Sequence, residues 1–415
     1  MLSKWSISSI LDISSVQTGK WNANHARENG RYRFYTCAQE YLQCDSKVFG
    51  GECIILPGNG ANVGEAYYYN GEFDAYQRTY VIYNIKINSK YLYYHLFLNW
   101  KRINTNKQFG SATNYIRIGN FLNYLFPIAP KNEQNRIVEK IEELFSDLDK
   151  ATEDLKKSQE QLRIYRQAVL KAAFEGKLVH LNSSEYLTFS DVCEINPSKR
   201  EIIELNDDLE VTFLPMPTVS ERGVIIEKKI KKLKEVKRGY TFFKNNDVLL
   251  AKITPCFENG KRAIVQNLKN NIGFGSTEFH VLRAKDEVLP KWIYYGISSE
   301  DFRNKAKMQM TGTAGQKRVP KRALETFKIP VPIIKVQELI IKEIESRLSV
   351  CDKLEDSIQQ SLEKIVYLRQ SILKKAFGGK LVPQDPEDEP AEKLLERIKL
   401  EKEKFESNNK KRKKR

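Results

Sequence analysis

Three features of the chain carry residue types at spacings that imitate chemistry. Gly58-Asn59-Gly60-Ala61-Asn62-Val63-Gly64 follows the apolar run Cys53–Leu56, as a phosphate-cradling dinucleotide loop would. Its spacing is Gly-x-Gly-x-x-x-Gly, no helical pattern follows, and no suitable acid stands downstream. A structural or DNA-facing loop is the better reading. Asn196-Pro197-Ser198 begins like the Asn-Pro-Pro-aromatic motif of adenine methyltransferases, but it lacks the second proline and the aromatic, and it reads as a turn. The six cysteines include no Cys-x-x-Cys pair, and His25, His95, His180 and His280 lie far apart, so zinc is not expected. The chain has no Gly-x4-Gly-Lys-Ser/Thr phosphate loop and no carboxylate cluster with a lysine that suits a metal nuclease. Catalysis by this chain is therefore not expected, and no metal or cofactor site is assigned to it.

The elements that would position any site are dominated by a duplication. Pro127–Val179 recurs as Pro330–Val382 at a constant offset of 203 residues, as between Arg166-Gln167 and Arg369-Gln370, or Gly176-Lys177-Leu178-Val179 and Gly379-Lys380-Leu381-Val382. Each copy reads as one long helix. Its apolar seam runs Ile137, Ile141, Leu144, Leu148, Ala151, Leu155, Ser158, Leu162, Tyr165 and Val169 in the first copy. In the second it runs Ile340, Ile344, Arg347, Cys351, Leu354, Ile358, Ser361, Ile365, Leu368 and Ile372, with Arg347 the one break. Steps of three and four keep that stripe facing a partner helix. Asn132 is the expected N-cap, and Gly176 and Gly379 the left-handed C-terminal residues. Roughly 44 residues give a rod of about 65 Å, and the other copy is the obvious partner.

Around the rods lie residues 1–126 and 181–329, both mixed α/β, with the rods over 127–180 and 330–382. Strands are expected at Cys53–Leu56, Thr79–Tyr83, Asp247–Leu250, Ala263–Val265 and Glu278–Leu282, and a helix at Tyr91–Trp100. Gly110-Ser111-Ala112 parallels Gly312-Thr313-Ala314, so the two globular segments look like distant copies. Residues 383–415 read as an acidic Pro-rich linker, a short charged helix Ala391–Phe405, and a basic tail. The expected fold class is α+β: two mixed α/β domains held apart by an antiparallel coiled-coil pair, with pseudo-two-fold symmetry. The 415 residues carry a formal net charge of +16, which favours polyanions: DNA, RNA or an anionic membrane surface. No signal-peptide pattern and no membrane-spanning apolar run is seen, so a cytoplasmic protein is expected.

At this point the chain resembles the specificity (S) subunits of type I restriction-modification systems over nearly its whole length. The likeness is carried by Pro127-Ile128-Ala129-Pro130 with Glu133-Gln134, by Arg166 to Phe174, and by Gly176-Lys177-Leu178. In the second half it is carried by Gly312 to Gln316, Ile329-Pro330-Val331-Pro332, and Gly379 to Pro386. Val336 departs from the family's usual Glu before Gln337. The resemblance implies two target recognition domains, each reading one half of a bipartite, asymmetric double-stranded DNA site. It also implies two methyltransferase (M) subunits and, in the full complex, restriction (R) subunits as partners. S-adenosylmethionine, ATP and Mg then belong to those partners, with no cofactor in this chain.

Base reading needs donors and acceptors on loops. In the first domain these are Lys20, Asn59, Asn62, Gln77, Arg78, Thr79 and Tyr80. In the second they are Lys252, Thr254, Lys261, Arg262, Ser276, Thr277, Glu278, Gln316, Lys317 and Arg318, where Glu278 could accept from a cytosine amino group. The basic run Arg222–Arg238 either tracks phosphates or is a solvated face. Gln134, Arg166, Gln167 and Phe174, with Gln337, Arg369, Gln370 and Phe377, are expected on docking faces for partner subunits, intramolecular packing being the alternative. The competing functional readings are a coiled-coil assembly scaffold with nonspecific nucleic-acid binding, and a self-contained modification enzyme.

Overall fold

Lys131–Phe174 and Ile334–Phe377 are uninterrupted helices of 44 residues each, as a heptad pattern without internal Pro or Gly demands. Both end as expected. Gly176 and Gly379 adopt φ of 72° and 65°, and the Lys177 and Lys380 N–H groups donate back to the carbonyls of Ala172 and Lys375. The start differs from expectation. Asn132 lies inside the first turn, because the Gln134 N–H already donates to the Pro130 carbonyl at 2.9 Å.

The computed structural model describes residues 4–104, 114–122, 124–179, 185–313 and 315–413. Gly110-Ser111-Ala112 and Ala314 lie outside the described residues. The chain divides into two units. The first joins the segment up to Leu155 with the segment from Gln360 onward, and the second runs Lys156–Gln359. Both boundaries fall within the long helices, since the opening half of one helix packs with the closing half of the other. In the first unit, Ile137 and Ile141 share a core with Leu373 and Ala376, while Arg369 pairs with Asp149 at 2.6 Å and lies 4.8 Å over Phe145. In the second, Val169 and Ala173 share a core with Ile340 and Ile344, while Arg166 pairs with Asp352 at 2.6 Å. Rising numbers meet falling ones, so the helices run antiparallel. The two Arg–Asp pairs are one contact made twice through the repeat. Seam residues Tyr165, Leu354 and Leu368 stay exposed.

Each unit carries the same sheets. In the first, Ser15–Thr18, Thr79–Tyr83, Glu52–Pro57 and Tyr67–Asn70 form an antiparallel sheet in that order. In the second, Cys193–Ile195, Phe279–Ala284, Val248–Ala251 and Arg262–Ile264 do the same. A further sheet follows Leu42–Cys44, Tyr32–Tyr35, Phe73–Ala75 in the first unit and Lys229–Lys232, Glu210–Leu214, Ile272–Gly275 in the second. Each has one antiparallel and one parallel pairing. The second unit adds Thr241–Lys244 as an edge strand. Ser6–Ser9 pairs with Leu125–Ile128, and Glu185–Thr188 with Lys328–Val331, tying each sequence start to its long helix.

The tail departs from expectation. Ala391–Lys413 is a 23-residue helix whose Ala391, Leu394 and Ile398 enter the first unit's core. The acidic proline-rich segment before it is fastened down. Asp388 is buried against Arg136 at 2.7 Å, and Lys4 donates to the Pro386 and Asp388 carbonyls. Burial of one carboxylate beside a guanidinium, together with an apolar helix face, turns a linker composition into a docked strap.

Candidate nucleic-acid interface

In the second unit, the chain leaves strand Val248–Ala251 and enters a backbone ladder with two other loops. The Lys252 N–H donates to the Glu278 carbonyl, and the Lys252 carbonyl accepts from the Val319 N–H, both at 2.8 Å. The Thr254 N–H donates to the Lys317 carbonyl at 2.9 Å and its hydroxyl to the same oxygen at 3.1 Å. Arg318 is bridged to Ile253 on one side and to Thr311 on the other. Three sequence-distant segments thereby present Lys252, Thr254, Ser276, Thr277, Glu278, Gln316, Lys317 and Arg318 together. Glu278 holds Arg318 through both carboxylate oxygens at 2.9–3.2 Å, and that bond keeps the Glu278 carboxyl below its usual range.

The Lys261 carbonyl accepts from the Ala251 N–H, and the Lys261 N–H donates to the Cys256 carbonyl, both at 3.0 Å. Arg262 points elsewhere. It donates to the Ser298 hydroxyl and the Gly260 carbonyl and lies 5.0 Å over the Tyr294 ring, fixing helix Pro290–Gly296 to the sheet. It is not part of the cluster.

The first unit builds the same ladder. The Gly58 N–H donates to the Arg78 carbonyl at 2.9 Å, and the Gly58 carbonyl accepts from the Ile116 N–H at 2.9 Å. The Gly60 N–H donates to the Asn114 carbonyl at 2.8 Å, and Asn59 bridges Tyr115. Gly58 is required here, because a Cβ would lie 2.1 Å from the Arg78 carbonyl oxygen. Lys20, Gln77 and Arg78 are exposed beside it, with the Gln77 N–H donating to the Trp21 carbonyl. Asn62 spends its amide on the Cys37 carbonyl at 2.8 Å, holding the neighbouring loop.

Two expected readers are corrected. Thr79 is fully buried, and Tyr80 turns inward, its ring 4.9 Å from Phe121. Strand alternation points the two to opposite faces of the sheet, and both faces are covered: Tyr80 packs with Ile82 against one core, and Val81, on the Thr79 side, lies in another. Sequence reasoning missed Asn114, Tyr115 and Arg117, the last donating to the Tyr115 hydroxyl at 2.8 Å. The repeat offset could have found them, since it carries Lys317 and Arg318 onto Asn114 and Tyr115.

The basic run is partly matched by acids. Lys232 and Lys234 pair with Asp208, Lys237 with Asp207, and Arg222 with Glu355 and Asp356. It is chiefly a solvated, acid-matched face.

Most expected docking residues are committed inside the chain. Gln134 and Gln337 are fully buried. Their amides accept from the Asn88 and Leu289 N–H groups and donate to the Ala129 and Pro332 carbonyls, so they serve the fold. Arg166 and Arg369 make the seam pairs. Phe174 packs 4.7 Å from Trp292, and Phe377 lies 5.2 Å from Tyr91. Gln370 is exposed, and Gln167 lines a groove of about 680 Å³ with Arg163, Tyr186, Asn304 and Pro330.

The family profile described as type I restriction modification DNA specificity domain matches residues 2–161 and 183–364, once for each repeat. The chain belongs to the type I restriction-modification specificity family. Among relatives, the EcoAI specificity subunit of Escherichia coli is 40% identical over 262 residues, 52% of this chain and 44% of that protein. The chain thus spans less than half the length of that relative. The Escherichia coli EcoDI specificity subunit is 25% identical over 441 residues, covering 96% of this chain and 95% of that one. A chain from a structure addressing complex assembly and conformational transition of the type I R-M system superposes with a TM-score of 0.69 at 14% identity, over 91% and 98% of the two chains. The HsdS subunit from Thermoanaerobacter tengcongensis gives 0.54 at 15%, over 92% and 98%. These two share the specificity-subunit fold: mixed helices and sheets with paired long helices.

Proposed function

We propose that this chain is the non-catalytic reader of a bipartite, asymmetric double-stranded DNA site, one half per domain, and that it works in the cytoplasm. The carrying observation is the twin ladder: one backbone scaffold displaying Lys252, Thr254, Glu278, Lys317 and Arg318 in one unit, and Gly58, Gly60, Arg78, Asn114 and Tyr115 in the other. The same frame with unlike donors and acceptors should read unlike half-sites. The long helices act as a ruler between them, so one heptad inserted into both should lengthen the unread spacer.

Two methyltransferase subunits and, in the full complex, restriction subunits dock on the long helices and bring S-adenosylmethionine, ATP and Mg. Support for docking comes from matched exposed apolar residues, Ile164 and Tyr165 in one copy and Tyr367 and Leu368 in the other. Gln167 adds a buried side-chain oxygen that has no hydrogen-bond donor among the described residues. A scaffold that binds nucleic acid without selection is disfavoured by the acid-matched basic run. The test is binding to selected versus random duplexes as salt rises. A reader keeps a preference of roughly a thousandfold or more where phosphate attraction is screened, whereas a nonspecific scaffold loses both together.

A further inference from the structure

Resting on that reading, the geometry points to Arg318 as the reader of a guanine, and to Glu278 as the positioning residue that aims it rather than as an acceptor for cytosine. A guanidinium carries five N–H donors in a planar fork. In Arg318, Nε and Nη2 donate to the Glu278 carboxylate at 3.0 and 2.9 Å, and Nη1 donates to the Gln316 carbonyl at 3.1 Å. One N–H on each terminal nitrogen is left over among the described residues. Two adjacent donors of this kind match O6 and N7 of guanine in the major groove.

The pair is layered. The Glu278 side chain is 24% exposed and that of Arg318 is 42% exposed, so the acid lies beneath and the fork above. The frame is stiff as well. The Arg318 N–H donates to the Thr311 carbonyl at 2.8 Å, the Thr311 N–H returns at 3.0 Å, and Lys252 joins Glu278 to Val319. A carboxylate under the fork does two things. It removes rotamers that would let Arg318 reach a phosphate, and it offsets the charge that would hold any sequence alike. The first unit has Arg78 and Tyr115 at the corresponding ladder positions, with no acid at either, so this device belongs to one half-site only.

The experiment uses the full chain, with whatever methyltransferase subunits co-purify, and sequences duplexes selected from a random library. Wild type should require guanine at one position of one half-site. Arg318→Lys keeps the charge and loses the fork, so the preference at that position should fall by about tenfold to a hundredfold. Glu278→Gln keeps the shape and should relax the same position by a smaller factor, Glu278→Asp should restore part of it, and Glu278→Gln should add nothing in an Arg318→Ala background. Unchanged preferences in the other half-site show that each variant is folded. A guanine requirement that survives Arg318→Ala, or a Glu278→Gln profile identical to wild type, overturns this inference while leaving the reader intact. A wild-type chain that selects no sequence overturns the underlying reading itself.

Discussion

After the central sheet strand, the first unit places Gly58 where the second places Lys252, and Arg78 where the second places Glu278. The hydrogen bonds that join these residues to the next loop are the same in both units. What differs is only what projects from the frame. The long helices show the opposite balance: the Arg166–Asp352 and Arg369–Asp149 pairs are identical copies. Where the chain must hold a fixed geometry, side chains repeat. Where, on the proposed function, it tells two DNA sequences apart, only the backbone repeats.

A second contrast lies in how each unit is closed. Lys285 of the second unit donates to the Ser190 and Asp191 carbonyls of the short helix Phe189–Val192. In the first unit the corresponding Lys86 instead faces Glu401, and Lys402 from the C-terminal helix donates to the Leu11 carbonyl of Ile10–Ile13. Truncation after Pro390 should therefore destabilise the first unit alone, by about 3–6 kcal/mol from Leu394 and Ile398. Amide exchange should quicken around Ile10–Ile13 and Ser89–Asn104 while Phe279–Ala284 is unmoved. Equal quickening in both units would break the contrast.

Next in size are the paired buried amides. Gln134→Ala and Gln337→Ala should each cost about 2 kcal/mol in chemical denaturation, by stranding a buried N–H and a carbonyl, with Gln337→Ala the costlier because its amide also donates to the Glu287 carbonyl at 3.0 Å. A costlier Gln134→Ala would mean that the two helix starts are less alike than their hydrogen bonds.

Acid should act next, through His95. Burial lowers its pKa to about 3, with Arg102 adding to the shift, while its Nδ1 meets the Tyr124 hydroxyl at 2.9 Å and its ring packs on Phe377. A histidine held neutral in the fold supplies stability above its unfolded pKa and loses it as pH falls. From pH 6.5 to pH 5 the first unit should lose about 2 kcal/mol. His95→Gln should flatten that dependence for helix Ser89–Asn104. His280, also shifted down by burial, supplies a parallel loss in the second unit.

The smallest effect is Arg78→Ala. It should relax base preference about tenfold in one half-site and leave the other untouched, mirroring Arg318. Relaxation in both halves would sharpen the comparison in the wrong direction, by showing that the units are read together.

Much of this was legible in the residues. Helix length, the apolar seam and the glycine ends follow from a period and an exclusion, both local properties, while the antiparallel pairing follows from the chain order of globule, helix, globule, helix. Strand Thr79–Tyr83 matched residue for residue. The ladder was half legible. Loops at 252–254 and 316–318 stood out by composition, whereas Asn114 and Tyr115 stand out only when the repeat offset carries Lys317 and Arg318 onto them. The residues alone allow Gln134 and Gln337 either a docking face or a packing role, because an amide that saturates backbone groups carries no apolar signature. The segment Pro383–Pro390 looked like a free linker, because one buried Asp388 against Arg136 outweighs seven neighbours' composition. The composition of Arg222–Arg238 allows a phosphate track or a solvated face, and the second is favoured only once Asp207, Asp208 and Glu355 meet it in space.

The most direct measurement is a map of methylated adenines in a genome where this chain and its partner subunits are the active system. The account predicts two unlike half-sites at one fixed spacing, with the guanine preference of one half lost in Arg318→Ala. A palindromic site, a variable gap, or a pattern independent of this chain would contradict it.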